Sequence, residues 1–311
     1  MVALWGRLPD EDQQELDPSG YPFHKARREA FSRWLESGSE KRINREVQDS
    51  KFKDMGHIEA VFSLLTGHQI SAACAAAQRS GDHRLALLLA QAGSTQEIKL
   101  LITKQLSDWH EMGVDKFIAP EYLQVYALLA GQLVWQSSHN SINTCQNLDW
   151  KRALAVHLWH ACKPVASIQD ALAEFDKGFH GESTLGRYCP VPRPPYMENN
   201  PEVYPEDGDM EYEEGETDGY TVWDMCYHLV KLYTDHTHRL ERVLAPTTHT
   251  AYQLDYRLSW HVLHALQALG YSHISEQDLN HLHVSFASQL EGLGLWHWAV
   301  FVLLHIQDNC R

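Results

Sequence analysis

The chain has 311 residues, of which 44% are hydrophobic and 22% charged, a balance that excludes fibrous and wholly disordered classes and leaves ample room for an apolar core. A formal charge of −15 argues against a general nucleic-acid binder, because phosphate contacts need a basic face. The longest apolar run, Trp298 to Leu304, falls far short of the ~20 residues of a membrane-spanning helix, and "MVALWGRLPDEDQQELD" lacks the features of a secretory leader.

Six scattered cysteines without a C-x-x-C pair suit reduced, mostly buried thiols in the cytosol or nucleus better than a disulfide frame or a zinc site. Apolar residues recur at helical spacing nearly everywhere, which predicts an all-α protein.

The segment from His24 to Ser37 forms the first amphipathic helix, with Phe23, Ala30, Phe31, Trp34 and Leu35 on one face, and a more polar one runs from Glu40 to Lys53. Helices then follow in quick succession over Ile58 to Thr66, His68 to Ser80, Asp82 to Ala92 and Thr95 to Met112. Gly67, Gly81 and Gly93 mark their ends. Such short breaks force neighbours into antiparallel contact.

Further helices are expected over Glu121 to Gln136, Asp149 to Cys162, Ser167 to Phe179, Val222 to Leu244, Asp255 to Leu269, Ser275 to Leu290 and Leu295 to Asp308. Capping-box starts, in which a hydroxyl and a carboxylate satisfy unpaired backbone amides, are read at Ser94, Ser167, Thr221 and Ser275. The last helix, "LWHWAVFVLLHI", is apolar all round and is expected at the centre of a stack.

Between Gly181 and Tyr220 the composition turns to proline, glycine and acid. Ten acidic side chains and no lysine or arginine lie from Glu198 to Asp218. This stretch reads as a mobile, disordered acidic insertion (181–220) within a single helical domain spanning residues 1–311, with a linker between two domains as the alternative.

In "HQISAACAAAQRSGDHRLALLLAQAGS", Ala72 to Ala77 holds five Ala and a Cys. Small side chains allow close helix approach, so this face is expected to receive leucines from "LALLLA", Leu85 to Ala90. That hairpin resembles the signature of the ancestral coatomer elements, which include coat nucleoporins and COPII scaffold proteins. "YPFHKARREAFSRWLES", "LITKQLSDWHEMGVDKFIAPEYLQVYALLAG" and "DWKRALAVHLWHAC" resemble the scaffold nucleoporins of that family, vertebrate type.

The resemblance implies an irregular folded-back helical stack, a J-shaped α-solenoid with trunk and crown, serving as a non-catalytic scaffold in the Y-shaped outer-ring complex of the nuclear pore. It implies location at the nuclear envelope, a part in nucleocytoplasmic transport of protein and mRNA, and no cofactor. It also implies crown-to-crown pairing with a neighbouring scaffold nucleoporin, and pairing with a β-propeller protein shared with the COPII coat through an inserted β-blade. No run before Tyr21 reads as that blade and the family's tail helices are missing after Arg311, so the chain reads as a fragment without the propeller's docking strands. The competing scaffold reading is a COPII-type vesicle coat.

For the crown surface, the candidate residues are Leu123, Tyr126, Ala127, Ala130 and Leu133, a stripe with small gaps suited to another helix. The same stripe also reads as the chain's own core.

Catalytic and metal chemistry find little support. The pairs His157/His160, His261/His264 and His281/His283 lack the i, i+4 spacing with a carboxylate of a metal helix, and sit beside Trp159, Trp260 and Leu282. A helical metal-dependent hydrolase built on them is the enzyme-class alternative. No nucleophile elbow or phosphate-binding loop occurs. The basic cluster Lys25, Arg27, Arg28, Arg33, Lys41, Arg42 and Arg45 reads as a solvated helix face.

Overall fold

The structure, a computed structural model, describes residues 1–8, 20–92, 96–183, 186–200 and 222–306. The fold is all-α as the periodicity requires, a stack of helices with one two-stranded sheet among the described residues. Its contacts divide into two compact units, one of Val2–Val191 and one of Pro192–Arg311 with Met1.

The first unit opens with a single turn, α1 (Val2–Trp5), and the 29-residue α2 (Tyr21–Asp49). The two helices expected here are one. Gly38 costs about 1 kcal/mol in a helix interior, but burial of Phe31 and Leu35 before it and Ile43 after it holds the helix through that point.

Next come α3 (Gly56–Thr66), α4 (Ile70–Arg79), α5 (His83–Ala92) and α6 (Gln96–Glu111), broken close to the glycines read from the sequence. Helix α4 packs on α3 and α5. Its buried residues are Ala73 and Ala77, and those of α5 include Leu85, Ala86 and Leu89, so the small face and the leucine-rich face bury one another as expected.

At the α3–α4 break the left-handed residue is His68 (φ 60), while Gly67 has φ −104. Gly67 supplies space instead: a Cβ there would lie 2.0 Å from Ile43 Cδ1. A 2.7 Å contact from His68 Nδ1 to Glu36 and stacking on Trp159 offset the strain of the left-handed histidine.

Helix α7 (Pro120–Ala130) ends six residues before the expected Gln136, with Gly131 at φ 75, because the chain turns there into a hairpin. Strand β1 (Val134–Gln136) pairs antiparallel with β2 (Ser141–Asn143), Val134 opposite Asn143. A Cβ on Gly131 would meet the His160 carbonyl at 2.6 Å, so conformation and space both demand glycine.

Helix α8 (Trp150–Val156) is capped by Asp149, which accepts from the Arg152 amide. It then widens into a π turn over His157–Ala161, closed by the Cys162 amide donating to the His157 carbonyl at 2.8 Å. Helix α9 (Ile168–His180) carries the expected capping box of Ser167 and Asp170. Within the 181–220 stretch, Cys189 is buried and the Tyr188 and Cys189 amides donate to the Gly178 carbonyl.

The second unit contains α10 (Pro195–Glu198), α11 (Met225–Thr234), α12 (Leu240–Leu244), α13 (Arg257–Ala268), α14 (Glu276–Gly292) and α15 (Trp296–Leu303). From α11 onward, each helix packs on the next. The helix expected from Val222 to Leu244 is two, because Asp235 accepts from the amide and hydroxyl of Thr237 and closes a turn. Ser275 caps α14 as expected, whereas α11 is capped by Asp224. The start read at Ser94, Thr221 and the acidic run of 201–221 lie outside the described residues.

Candidate helical interface

Helices α6 and α7 and the β-hairpin enclose a cluster of Leu106, Leu123, Ala127, Trp135 and Ile142. Leu123 and Ala127 are therefore core, and Leu133 is buried as well. Tyr126 and Ala130 are half-buried and pack on the edge of the same cluster. The hairpin, which no sequence periodicity announces, contributes Trp135 and Ile142 to this cluster. Of the five stripe residues, the two at the edge keep accessible surface.

The hairpin is fastened to the end of α6. Asp115, buried after that helix, accepts from the Ser138 amide at 2.7 Å, from the Ser138 hydroxyl at 2.7 Å and from His110 at 3.2 Å. Burial pushes its carboxyl upward, but these donors and the Lys116 amide outweigh it and draw the pKa down to about 2. On the other side of α7, Tyr122 donates to Asp82 at 2.9 Å; burial, then this carboxylate, pushes the phenol up to about 12.

Of the seven basic residues of α2, Lys25, Arg33, Lys41 and Arg45 lie on the exposed face the sequence predicts, whereas Arg27, Arg28 and Arg42 are tethers. Arg27 is buried and donates to the Gly6 carbonyl. Arg28 donates to four carbonyls around the π turn and the segment after it, those of Leu158, Lys163, Pro164 and Ala166. Arg42 pairs with Asp149 at 2.9 Å. From α8, the fully buried Arg152 reaches back to Glu46 on α2 and Thr66 on α3. These bonds tie the long helix to the π turn, to the segment after it and to α8.

Apolar surface remains exposed elsewhere. On α5 and α6, Leu87, Leu100 and Leu101 are each more than 60% exposed. Helix α6 buries Ile102 and Leu106, with Ile98 and Trp109 half-buried on the same arc, at i, i+4 and i, i+3 spacing. At about 100° per residue, Leu100 and Leu101 fall outside that arc, a signal already present in the sequence. Val165 lies on the rim of an open concavity of about 920 Å³ between the hairpin and α9, also lined by Leu133, Trp135, Cys162 and Glu174.

In the second unit the expectation that the last helix lies at the centre of a stack is overturned. Only Ala299 and Val302 of α15 are buried, joining Phe286 and Ala287 of α14. Trp296, Trp298, Val300, Phe301 and Leu303 are exposed. Uniform apolarity here gives the helix an inner and an outer greasy face. Contiguous apolar surface of this kind marks protein-docking sites.

The histidine pairs take separate roles. His157 donates to the Ala153 carbonyl and is buried, while His160 meets the Leu65 carbonyl at 3.4 Å. His261 is exposed and bonded to the Arg257 carbonyl. His281 meets Tyr256, and the buried His283 accepts from the Trp260 indole. His264, His283 and His305 come together in ring contacts beside a cavity of about 290 Å³.

Sequence comparison agrees with this helical build. The family model described as nuclear protein 96 (Nup96) matches residues 59–311. The nuclear pore complex protein Nup98-Nup96 of Drosophila melanogaster is 37% identical over the whole chain, and the nuclear pore complex protein NUP96 of Arabidopsis thaliana is 30% identical over 95% of it. Nucleoporin nup189 of Schizosaccharomyces pombe is 24% identical over 92%. The chain spans 15%, 26% and 16% of the length of these three relatives. With a family match over most of its length and a full-length relative well above 30% identity, the chain belongs to the Nup96 family of nucleoporins.

Proposed function

We propose that this chain is a non-catalytic scaffold segment of the nuclear pore coat at the nuclear envelope, binding neighbouring scaffold nucleoporins through helix surfaces. The observation that carries this reading is the coincidence of Nup96-family membership with helices that keep large apolar side chains in solvent after satisfying their own core. Its work is geometric: tethered helices fix the positions of docking faces, and apolar contact makes the resulting assembly long-lived. Nucleocytoplasmic transport depends on it only through the shape of the pore.

The crown-to-crown contact is assigned to the α5–α7 region. Leu87, Leu100 and Leu101 form its apolar anchors, and Tyr126 and Ala130 its edge. The test is co-purification of the 311-residue chain with outer-ring nucleoporins, comparing wild type with the double variant Leu100→Asp, Leu101→Asp. The expected outcome is lost co-purification with unchanged helical content. Undiminished binding in that variant and also in Trp298→Asp, Phe301→Asp would refute a docking role for these faces.

A further inference from the structure

Two thiols and an imidazole, far apart in sequence, meet inside the first unit. Cys145, His157 and Cys189 are all buried, and their ligand atoms lie within 4.8 Å of one another. Each is held by local backbone geometry. The Cys145 amide donates to the Asn143 side chain just after β2, His157 begins the π turn, and the Cys189 amide is pinned to the Gly178 carbonyl of α9. Helix α9 makes room at that point, for a Cβ on Gly178 would lie 2.7 Å from Cys189 Sγ.

The imidazole is oriented as a metal ligand's would be. His157 Nδ1 lies 2.7 Å from the Ala153 carbonyl, which can only accept, so Nδ1 carries the proton. The lone pair of Nε2 then faces Cys189 Sγ at 3.7 Å and Tyr188 Oη at 3.2 Å. A tetrahedral zinc ion with bonds of about 2.3 Å to sulfur and about 2.0–2.1 Å to nitrogen or oxygen separates a sulfur and a nitrogen ligand by roughly 3.6 Å, and a nitrogen and an oxygen ligand by roughly 3.3 Å. Both observed spacings match those of a zinc shell.

We infer that Cys145, His157 and Cys189 form a structural zinc site, with the Tyr188 hydroxyl at its fourth corner. Loading is balanced: the two thiols give up two protons, and two thiolates with one divalent ion leave zero net charge, which burial tolerates. The ion would join the loop after β2, the π turn and the segment after α9. These elements are separated in the chain and border the 920 Å³ concavity through His157 and Tyr188.

The test uses the 311-residue chain purified without chelator. Elemental analysis should find about one zinc per folded chain, and replacement by Co²⁺ should give a thiolate-to-cobalt charge-transfer absorption. Cys189→Ser should hold zinc at least roughly tenfold more weakly at similar helical content. Should that variant fail to fold, the wild-type cobalt spectrum decides, since its absorption requires thiolate ligands. Three results would overturn the site: wild type that binds neither ion, Cys189→Ser with undiminished zinc, or an intact mass showing Cys145 joined to Cys189 with loss of two hydrogens.

Discussion

The Arg28 guanidinium lies 2.6 Å from the Leu158 carbonyl, joining two residues 130 positions apart. One planar fork satisfies this oxygen and those of Lys163, Pro164 and Ala166 in the segment after the π turn. Replacing Arg28 with Met keeps the stem and removes the donors. The expected loss is about 1–3 kcal/mol, with Lys a poor substitute because it lacks the fork, measured by urea unfolding of each variant.

Gly131 offers a sharper test of backbone fit. Alanine there must adopt φ 75 and press its Cβ toward the His160 carbonyl 2.6 Å away. The expected cost is about 1–3 kcal/mol, from strain and displacement together. Thermal unfolding of Gly131→Ala checks it, with Gly38→Ala as the control expected to stabilise, since Gly38 is helical and open to solvent.

Core and surface leucines of neighbouring helices should behave oppositely. Leu123 is 2% exposed and Leu101 is 66% exposed. Leu123→Ala should lose about 2–5 kcal/mol, whereas Leu101→Ala should stay within about 0.5 kcal/mol of wild type. Chemical denaturation of both variants gives the comparison, and partner binding should follow the reverse order.

Acid sensitivity should begin well above the carboxylate range. Burial holds His228 at about 3, and His238 and His283 at about 4, against 6.5 for the free side chain. Below pH ~6.5 the unfolded chain takes up protons that the folded chain refuses, so stability falls as pH drops from there toward 4. Asp115 acts lower: its folded pKa of about 2 against 3.8 contributes stability that is lost as pH falls from about 4 through 2. The unfolding temperature should therefore decline between pH 7 and 5, and His228→Gln should flatten that slope.

What the sequence reveals here follows from how local each cause is. The Ser167 and Ser275 caps act within one turn, and the Ala73–Ala77 face within one hairpin, so both are legible from spacing. The hairpin of Val134–Gln136 and Ser141–Asn143 is not, because three-residue strands are too short to establish an alternating pattern. Without the hairpin, α7 extends to Gln136, and spacing alone leaves Leu123, Ala127 and Leu133 open to both the core and the docking reading, which their burial resolves as core. Conversely, Leu100 and Leu101 were readable as a second apolar arc on α6. The Cys145, His157 and Cys189 cluster depends on three separate elements meeting, which no spacing rule anticipates.

The unbroken run of α2 has a mechanical consequence. A straight helix of 29 residues extends ~43 Å. Held by arginines along its length, it behaves as a lever: tilting one tip by one degree moves the opposite tip by only about 0.8 Å. Angular error introduced at one end of this segment is thus passed on almost undistorted to the other.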